Sequence, residues 1–356
     1  MTPQPPKRAL QFLRWFCRED YLEEFEGDLI EIFEENHMTS PRRANWQFRF
    51  GVLRHFRPMF IRSFHIYNKA MIRHNFKISI RTLIRDKAYT VLNIGSLAIG
   101  IAVAIMIGLW IWDEFSYDRH HAHYDQIAQL MQNQTFNGVV ETSNNQPQQI
   151  APVLRDYYGS NFKHVTLSTI DFSLLMSVGE KKINVVGRYM EPNAAHLFSL
   201  PMKAGTRDGL TDPNSILIAE STARSLFGRT DVINETIQIG GAVDMKVTGV
   251  YEDLPFNSSF REMKYLAPWD FYVDRFNIRE RAGWGNNWFQ VYVQLNDNIT
   301  MEEASAQIRE AKITYANNGE PDRFKPEHFL FPMQKWRLYD EFENGKISGG
   351  AIQYIW

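Results

Sequence analysis

A cluster of three histidines is the part of this sequence in which residue type and spacing come nearest to those of a metal site. His120, His121 and His123 lie in the stretch DRHHAHYD, and alternate side chains of an extended segment could offer two imidazoles to one zinc ion. A zinc site also needs a third ligand and a hydrogen-bond partner that orients each imidazole. The sequence identifies neither, so it assigns no metal.

The sequence also lacks the motif of a phosphate-binding loop and the motifs of serine hydrolases and zinc proteases. The nearest approach to a phosphate-binding loop is Gly345-Lys346, but Asp340 stands where the first glycine is required and Ile347 where Ser or Thr is required. Neither G-x-S-x-G nor H-E-x-x-H occurs. The sequence therefore predicts no catalytic residue, no cofactor and no ATPase activity.

An uncharged segment dominates the middle of the chain. Val91 to Trp112 contains no charged residue, whereas the whole chain is 22% charged and has a mean hydropathy of -0.36. As a helix this segment is about 33 Å long, close to the roughly 30 Å hydrocarbon core of a bilayer. We expect it to span a membrane once. A buried core helix is the alternative, and a signal peptide is disfavoured because ninety residues precede the segment.

Small residues recur along one side of this expected span. Small side chains let two spanning helices approach closely. We predict that this face packs against another spanning helix; its residues are Gly95, Ser96, Gly100 and Ala104.

The flanks of the span predict its orientation. The stretch from Arg42 to Lys87 contains twelve Lys and Arg residues and one acid, Asp86, whereas the other flank begins with Asp113 and Glu114. Because positive charge stays on the cytoplasmic side, we expect a cytoplasmic N-terminus and a C-terminal part outside the cytoplasm. On this orientation, the histidines after the span are interpreted as polar residues at the level of the lipid headgroups.

Helical periodicity is strong before the span. Apolar residues recur at three- and four-residue spacing between residues 7 and 36 and again from Trp46 to Phe56, which predicts a small helical module. An amphipathic helix then begins near Asn75 and carries Lys77, Arg81 and Arg85 on one face. We expect this basic face to lie on the inner membrane surface, either as a lipid anchor or as a docking site for a partner protein.

Beyond the span, signals for strands and short helices alternate without a strict β-α order. Hairpins are expected around Gly179 and around Gly240-Gly241, and helices at 147–159, at 219–228 and after a Thr300 cap. This pattern favours an α+β domain over a doubly wound sheet. The only cysteine, Cys17, precedes the span, so the exported part has to be stable without disulfides.

Several motifs together resemble the start of MacB/FtsX-type ABC transporter permeases. The motif R-x-L-x-R-x-K lies in the amphipathic helix that forms an elbow before the span. The motif N-x-x-G-L-A-x-G lies in the span, with Ser96 at the position that is usually glycine. The motif D-E-x-S-Y-D-R-x-H follows the span. The segments ILIAESTARSLFG and VTGVYEDLPFNSSF are similar to parts of the family's periplasmic core domain. Residues 6–37 resemble a helical module found ahead of some of these permeases. The matching positions of the first three motifs are Arg81, Leu83, Arg85, Lys87, Asn93, Leu97, Ala98, Gly100, Asp113, Glu114, Ser116, Tyr117, Asp118, Arg119 and His121.

The resemblance implies three parts: a cytoplasmic helical module at 1–74, an elbow and spanning helix at 75–112 with the span at 91–112, and a periplasmic α+β core domain at 113–356. It implies a subunit of a bacterial inner membrane that is not itself an ATPase. The implied partners are a separate ABC ATPase, the lipid bilayer, a second copy or a paired permease, and a periplasmic adaptor, with no nucleic acid. The implied work is export or the transmission of movement across the membrane.

Two functional hypotheses remain at this stage. The chain is a permease subunit, or it is a single-pass membrane sensor or adaptor whose exported domain binds a ligand or partner. Permeases of this type usually have four spans, and this sequence contains one. The apolar ending AIQYIW is therefore expected to lead into a second span of a longer permease, with a final buried strand as the alternative.

Overall fold

The structure is a computed structural model that describes residues 4–38, 40–57, 60, 69–316 and 322–355. The chain divides into two compact units, Met1–Ile101 and Ala102–Trp356. Each unit is described by itself below.

The first unit begins with three helices: α1 (Lys7–Phe16), α2 (Glu19–His37) and α3 (Pro41–Arg54). These helices lie where the apolar periodicity predicted them. Its apolar side chains are buried together, as the spacing of three and four requires, and the buried set is Leu13, Phe16, Cys17, Leu29, Phe33, Ala44, Phe48 and Val52. Trp15 and Trp46 follow the same apolar spacing, but both lie largely exposed.

Two further helices follow, α4 (Lys69–Arg85) and α5 (Lys87–Phe115), with Asp86 between them. Helix α4 begins six residues earlier than the sequence pattern indicated. Among the described residues, α5 is the helix long and apolar enough to cross a membrane, and none of its most apolar stretch is buried by the protein. A helix satisfies its own backbone hydrogen bonds, so such a surface is stable in hydrocarbon.

Strands dominate the second unit. Within the described residues, twelve strands form one hydrogen-bonded sheet with mostly antiparallel pairing. These strands are β1 (Ile127–Phe136), β2 (Val139–Ser143), β3 (Phe162–Ser168), β4 (Phe172–Val178), β5 (Lys181–Met190), β6 (Met202–Gly205), β7 (Ser215–Ala219), β8 (Thr236–Ile239), β9 (Val243–Tyr251), β10 (Tyr265–Pro268), β11 (Gln290–Leu295) and β12 (Glu327–Pro332). The combination of a mixed sheet with helices confirms the α+β class.

Part of the sheet closes into a ring of strands in the order β5-β4-β8-β9-β7-β10, because β10 pairs with β7 on one side and in parallel with β5 on the other. A close approach at Gly187 permits this closure. A Cβ at that position would lie 2.4 Å from the backbone oxygen of Tyr265, so a side chain does not fit. The ring encloses its own apolar core, which includes Met176, Ile218 and Val247.

Four further strands, in the order β3-β11-β1-β12, continue from the ring as an open sheet, with β2 paired to β1, whereas β6 pairs with β9 of the ring. The helices that contribute to the apolar core of this sheet include α6 (Ile150–Tyr158), α9 (Trp269–Arg275), α11 (Met301–Ile308) and α12 (Ala311–Ala316), and Ile278 joins the same core. A third apolar cluster, which includes Phe198, Phe260 and Tyr292, connects the two parts of the sheet. The described helices of this unit also include α7 (Ala194–Leu197), α8 (Glu220–Phe227) and α10 (Ile278–Arg281).

Local signals in the sequence predicted several turns and caps correctly. The β4-β5 hairpin turns at Gly179 and the β8-β9 hairpin at Gly240-Gly241, and all three glycines have positive φ angles that other residues rarely adopt. Helix α11 begins with a capping box, in which the Thr300 hydroxyl accepts a hydrogen bond from the Glu303 amide over 3.2 Å.

The last described segment is a small hairpin followed by a turn. Strands β13 (Glu341–Glu343) and β14 (Lys346–Gly349) pair with each other, and Ala351–Tyr354 form one 3-10 turn. Trp356, which ends the apolar segment singled out in the sequence, lies outside the described residues.

A buried histidine in β12 makes the stability of the second unit depend on pH. His328 is fully buried, its Nε2 lies 3.1 Å from the Gln146 side-chain oxygen, and burial together with nearby Lys312 lowers its pKa to about 3. The unfolded chain, with a histidine pKa near ~6.5, binds a proton that the folded chain excludes. We expect this one group to lower the free energy of unfolding by about 2 kcal/mol between pH 7 and pH 5.

Comparison of the wild type with His328→Gln isolates this contribution, because glutamine does not titrate and its amide still donates to Gln146. Urea unfolding at pH 7 and pH 5 measures the difference. If the wild type and His328→Gln lose equal stability between pH 7 and pH 5, the pH dependence does not come from His328.

Candidate functional site

A group of polar contacts lies where α5 ends, and Glu114 in its last turn makes the first of them. Its carboxylate accepts two hydrogen bonds from Arg337, one from Nε over 2.6 Å and one from Nη2 over 2.8 Å. Only 8% of the Glu114 side chain is exposed. The carboxylate raises the pKa of Arg337, whose guanidinium also lies 4.8 Å from the centre of the Tyr117 ring. A two-bond pair of this kind fixes orientation as well as distance.

A second contact binds the residues just after the helix. Asn257, in the loop between β9 and β10, donates from its side-chain amide to the Ser116 hydroxyl over 2.8 Å. The backbone oxygen of Asn257 accepts the Asp118 amide over 2.8 Å. The chain leaving α5 is therefore tied to this loop through both side chain and backbone.

The carboxylate of Asp118 completes this attachment. It accepts the Ser259 amide over 2.7 Å, the Ser259 hydroxyl over 2.6 Å and, at 3.4 Å, the Ser258 hydroxyl. Asp118 has a positive φ of 60°, a conformation that aspartate adopts more readily than most residues. Burial raises the pKa of the carboxyl, and the hydrogen bonds from Ser259 oppose that shift. We name the contacts of Glu114, Ser116 and Asp118 with Arg337, Asn257 and Ser259 the helix junction.

The helix junction continues into the sheet through Phe260 and Arg188. The buried guanidinium of Arg188, on β5, lies 5.2 Å from the centre of the Phe260 ring. It donates to Asp171 over 2.6 Å, and to Gln290 and Tyr292 of β11 over 2.7 and 2.9 Å. One side chain thus connects the closed ring, the open sheet and the loop that holds the end of the helix.

His121 is a core residue, and the expectation that it lies among lipid headgroups is wrong. Its side chain is 2% exposed, its Nδ1 lies 2.7 Å from the backbone oxygen of Phe198, and its ring contacts Phe198 and Phe260. Burial lowers the pKa of His121 to about 4, so the imidazole is neutral at pH 7. The neighbouring His120 is exposed.

Two clefts lie on either side of the Glu114–Arg337 pair. One has a volume of about 610 Å³ and is lined by Tyr124, Gln334 and Tyr339, among others. The second, of about 600 Å³, has Trp110 and Phe256 in its lining.

The site residues proposed from sequence lie elsewhere on the helices. Lys77, Arg81 and Arg85 are exposed on one face of α4, and Arg85 lies 3.6 Å from Asp86. Gly95, Ser96, Gly100 and Ala104 lie on α5, and a Cβ added at Gly95 or Gly100 would meet no described atom within 4 Å. The face is therefore open for a neighbouring helix, and its packing role stays a prediction.

Sequence reasoning missed most partners in the helix junction. Arg337 and Arg188 carry no local signal, because their partners are distant in sequence. Asp118 and the LPFNSSF segment were noticed only as separate matches to a family, and nothing in either segment indicates that they contact each other.

Comparison with known proteins places this arrangement in a family. The model of the MacB-like periplasmic core domain matches residues 90–311, which is more than half of the chain. The chain belongs to this family. The match begins inside α5 and includes the Ser116, Asp118, Asn257 and Ser259 contacts, and Arg337 lies beyond it.

Three solved structures are similar to part of this chain. A domain described as that of a permease protein from Porphyromonas gingivalis aligns with a TM-score of 0.50 and 21% identity over 60% of this chain and 91% of that one. The periplasmic region of MacB from Actinobacillus actinomycetemcomitans aligns with a TM-score of 0.44 and 16% identity, over 60% of this chain and 91% of the MacB region. The extracellular domain of the transporter YknZ from Gram-positive bacteria aligns with a TM-score of 0.40 and 15% identity. That alignment covers 58% of this chain and 99% of the YknZ domain. A comparison with curated proteins finds no match.

The Glu114–Arg337 pair is expected to contribute measurably to the stability of the MacB-like domain. Replacing Arg337 with alanine leaves a nearly buried carboxylate without its partner, which is costly. A double-mutant cycle with Glu114→Ala and Arg337→Ala in the detergent-solubilised chain is expected to give a coupling energy of about 1–3 kcal/mol in urea unfolding.

The exposed pair of Arg309 and Glu327, 2.7 Å apart, is the matched control and is expected to couple by less than about 1 kcal/mol. Equal coupling in the two pairs contradicts the special role of Glu114 and Arg337.

Proposed function

We propose that this chain is the membrane subunit, or part of the membrane subunit, of an ABC transporter of the MacB/FtsX type. A separate cytoplasmic ATPase acts on α4, and the movement passes along α5 into the periplasmic domain. Export of a substrate, or mechanical work in the periplasm, is the outcome of that movement.

The observation that carries this proposal is the helix junction. A movement of a spanning helix reaches a folded domain only if the connection between them does not bend. Here, Arg337 holds Glu114 in the last turn of α5, and Asn257 and Ser259 hold Ser116 and Asp118 just after the helix. A flexible linker would instead absorb the movement.

The charge pattern supports the orientation. The twelve basic residues between Arg42 and Lys87 favour a cytoplasmic N-terminus, and the apolar surface of α5 suits a single crossing of the inner membrane. The MacB-like domain then lies in the periplasm, where the absence of cysteine beyond Cys17 is no disadvantage.

The basic face of α4 is the part of the chain best suited to an ATPase partner. Lys77 and Arg81 form no ion pair with any described residue, and the exposed guanidinium of Arg85 has only the adjacent Asp86 within reach. Unpaired cations on a helix next to a membrane attract either acidic lipid or an acidic protein surface. We assign them to docking of the ATPase.

The open face of small residues on α5 supports a partner within the membrane. Helices in lipid associate through close packing of small side chains, because lipid competes poorly for such contacts. Gly95, Ser96, Gly100 and Ala104 are therefore proposed to pack against a second copy of this chain or a paired permease. A periplasmic adaptor is a further partner consistent with the family.

The docking proposal is tested by reversing charge in α4. We expect Arg81→Glu with Arg85→Glu to reduce co-purification of the partner ATPase by about tenfold or more, since about 1.4 kcal/mol corresponds to a tenfold change in binding. ATPase stimulation in nanodiscs is expected to fall in parallel. Arg42→Glu with Arg43→Glu, on α3, reverses the same number of charges and serves as the matched control.

Membrane insertion is checked in the same strains. A reporter that is active only outside the cytoplasm, fused after Gly159, is expected to be active in the wild type and in both variants. Normal ATPase assembly with the α4 variant would make the basic face a lipid anchor. A wild type that captures no ATPase would favour the single-pass sensor instead.

A further inference from the structure

We propose that Asp118, His120 and His121 form a binding site for one divalent transition-metal ion of the zinc class. Each of these residues has one atom that could bind a metal, and these three atoms all lie within 4.8 Å of one another. Ligands bound to one zinc ion at about 2.0–2.2 Å lie up to about 4 Å apart, so a small side-chain adjustment closes the set around an ion.

His121 has the hydrogen-bond arrangement of a metal ligand. Its Nδ1 faces the backbone oxygen of Phe198 at 2.7 Å, and because a carbonyl only accepts, Nδ1 carries the proton. Nε2 then holds a free lone pair. Metal-bound histidines commonly donate their other N–H to a backbone carbonyl in this way, which fixes the tautomer and the ring.

The Nε2 atom of His121 has no hydrogen-bond partner among the described residues, although it is buried. A buried acceptor that is left unpaired destabilises a fold, so native proteins rarely keep one without a reason. A metal ion at this position satisfies the lone pair. This observation is independent of the clustering and points to the same ligand.

Asp118 retains capacity for a metal as well. A carboxylate has about four lone-pair positions, and Ser258 and Ser259 occupy three of them with hydrogen bonds. The Oδ2 atom, which accepts only the Ser259 hydroxyl, keeps one position. These serines orient the carboxylate, as hydrogen-bond donors around a metal-binding carboxylate usually do.

The donor set selects the class of metal. Two imidazoles and one carboxylate suit zinc and neighbouring transition metals, whereas magnesium and calcium prefer oxygen alone. Because His120 is exposed, an ion can enter from solvent and keep a water molecule as its fourth ligand. The bound ion would join residues 118–121 more tightly to the loop that contains Ser259.

The test uses the full chain in detergent, freed of any histidine tag and stripped of metal with a chelator. Zinc is titrated in competition with a chromophoric chelator, and one equivalent per chain is expected to bind. His120→Ala, which changes an exposed side chain, is expected to weaken zinc binding by at least about tenfold while the circular dichroism spectrum stays unchanged. His121→Gln and Asp118→Asn are expected to weaken it as well.

Two histidines serve as controls. His123 lies in the same segment but outside the cluster, and His196 contacts the Asp208 carboxylate over 2.8 Å elsewhere in the domain. His123→Gln and His196→Gln are expected to bind zinc as the wild type does. The proposal is overturned if the folded wild type binds no saturable equivalent, if His120→Ala retains wild-type affinity, or if His196→Gln abolishes binding.

Discussion

The carboxylate of Asp118 is the contact on which the rest of the second unit depends. A chain that leaves a bilayer has to find partners for its backbone and its charges within a few residues, because none exist in hydrocarbon. Asp118 achieves this by donating its amide to Asn257 and accepting the amide and hydroxyl of Ser259. Four residues earlier, Glu114 forms its pair with Arg337. The end of α5 is thereby part of the folded domain.

The attachment at the end of α5 continues into the sheet of the second unit. Phe260 follows Ser259 directly and packs against Tyr292 and the Arg188 guanidinium, which in turn joins β5 to β11. Packed and hydrogen-bonded groups therefore connect the end of the helix with both the closed ring and the open sheet. Protein interiors are dense and compress little, so such contacts transmit displacement.

Local features of the fold were predictable from sequence, because their causes are local. The apolar length of α5, the glycines of the β4-β5 and β8-β9 turns and the Thr300 cap each depend on a few neighbouring residues. The helical module was also predictable, although the exposure of Trp15 shows that periodicity alone does not identify which apolar residues are covered.

Features that depend on distant pairing were not predictable. Glu114 and Arg337 are 223 positions apart, and the closure of the ring by β5 and β10 joins strands with four others between them in sequence. His121 illustrates the same limit at the level of one residue. Its polarity suggested exposure, but the carbonyl of Phe198 and the Phe260 ring, both distant in sequence, bury it.

Hydrogen exchange of individual backbone amides tests most directly whether α5 is rigidly joined to the domain. The account predicts that the amides of Asp118 and Ser259 exchange as slowly as those of β11 in the domain core. Exchange at both amides as fast as at the exposed hairpin tip around Gly179 would mean that the junction opens locally, and transmission of movement through it would then be contradicted.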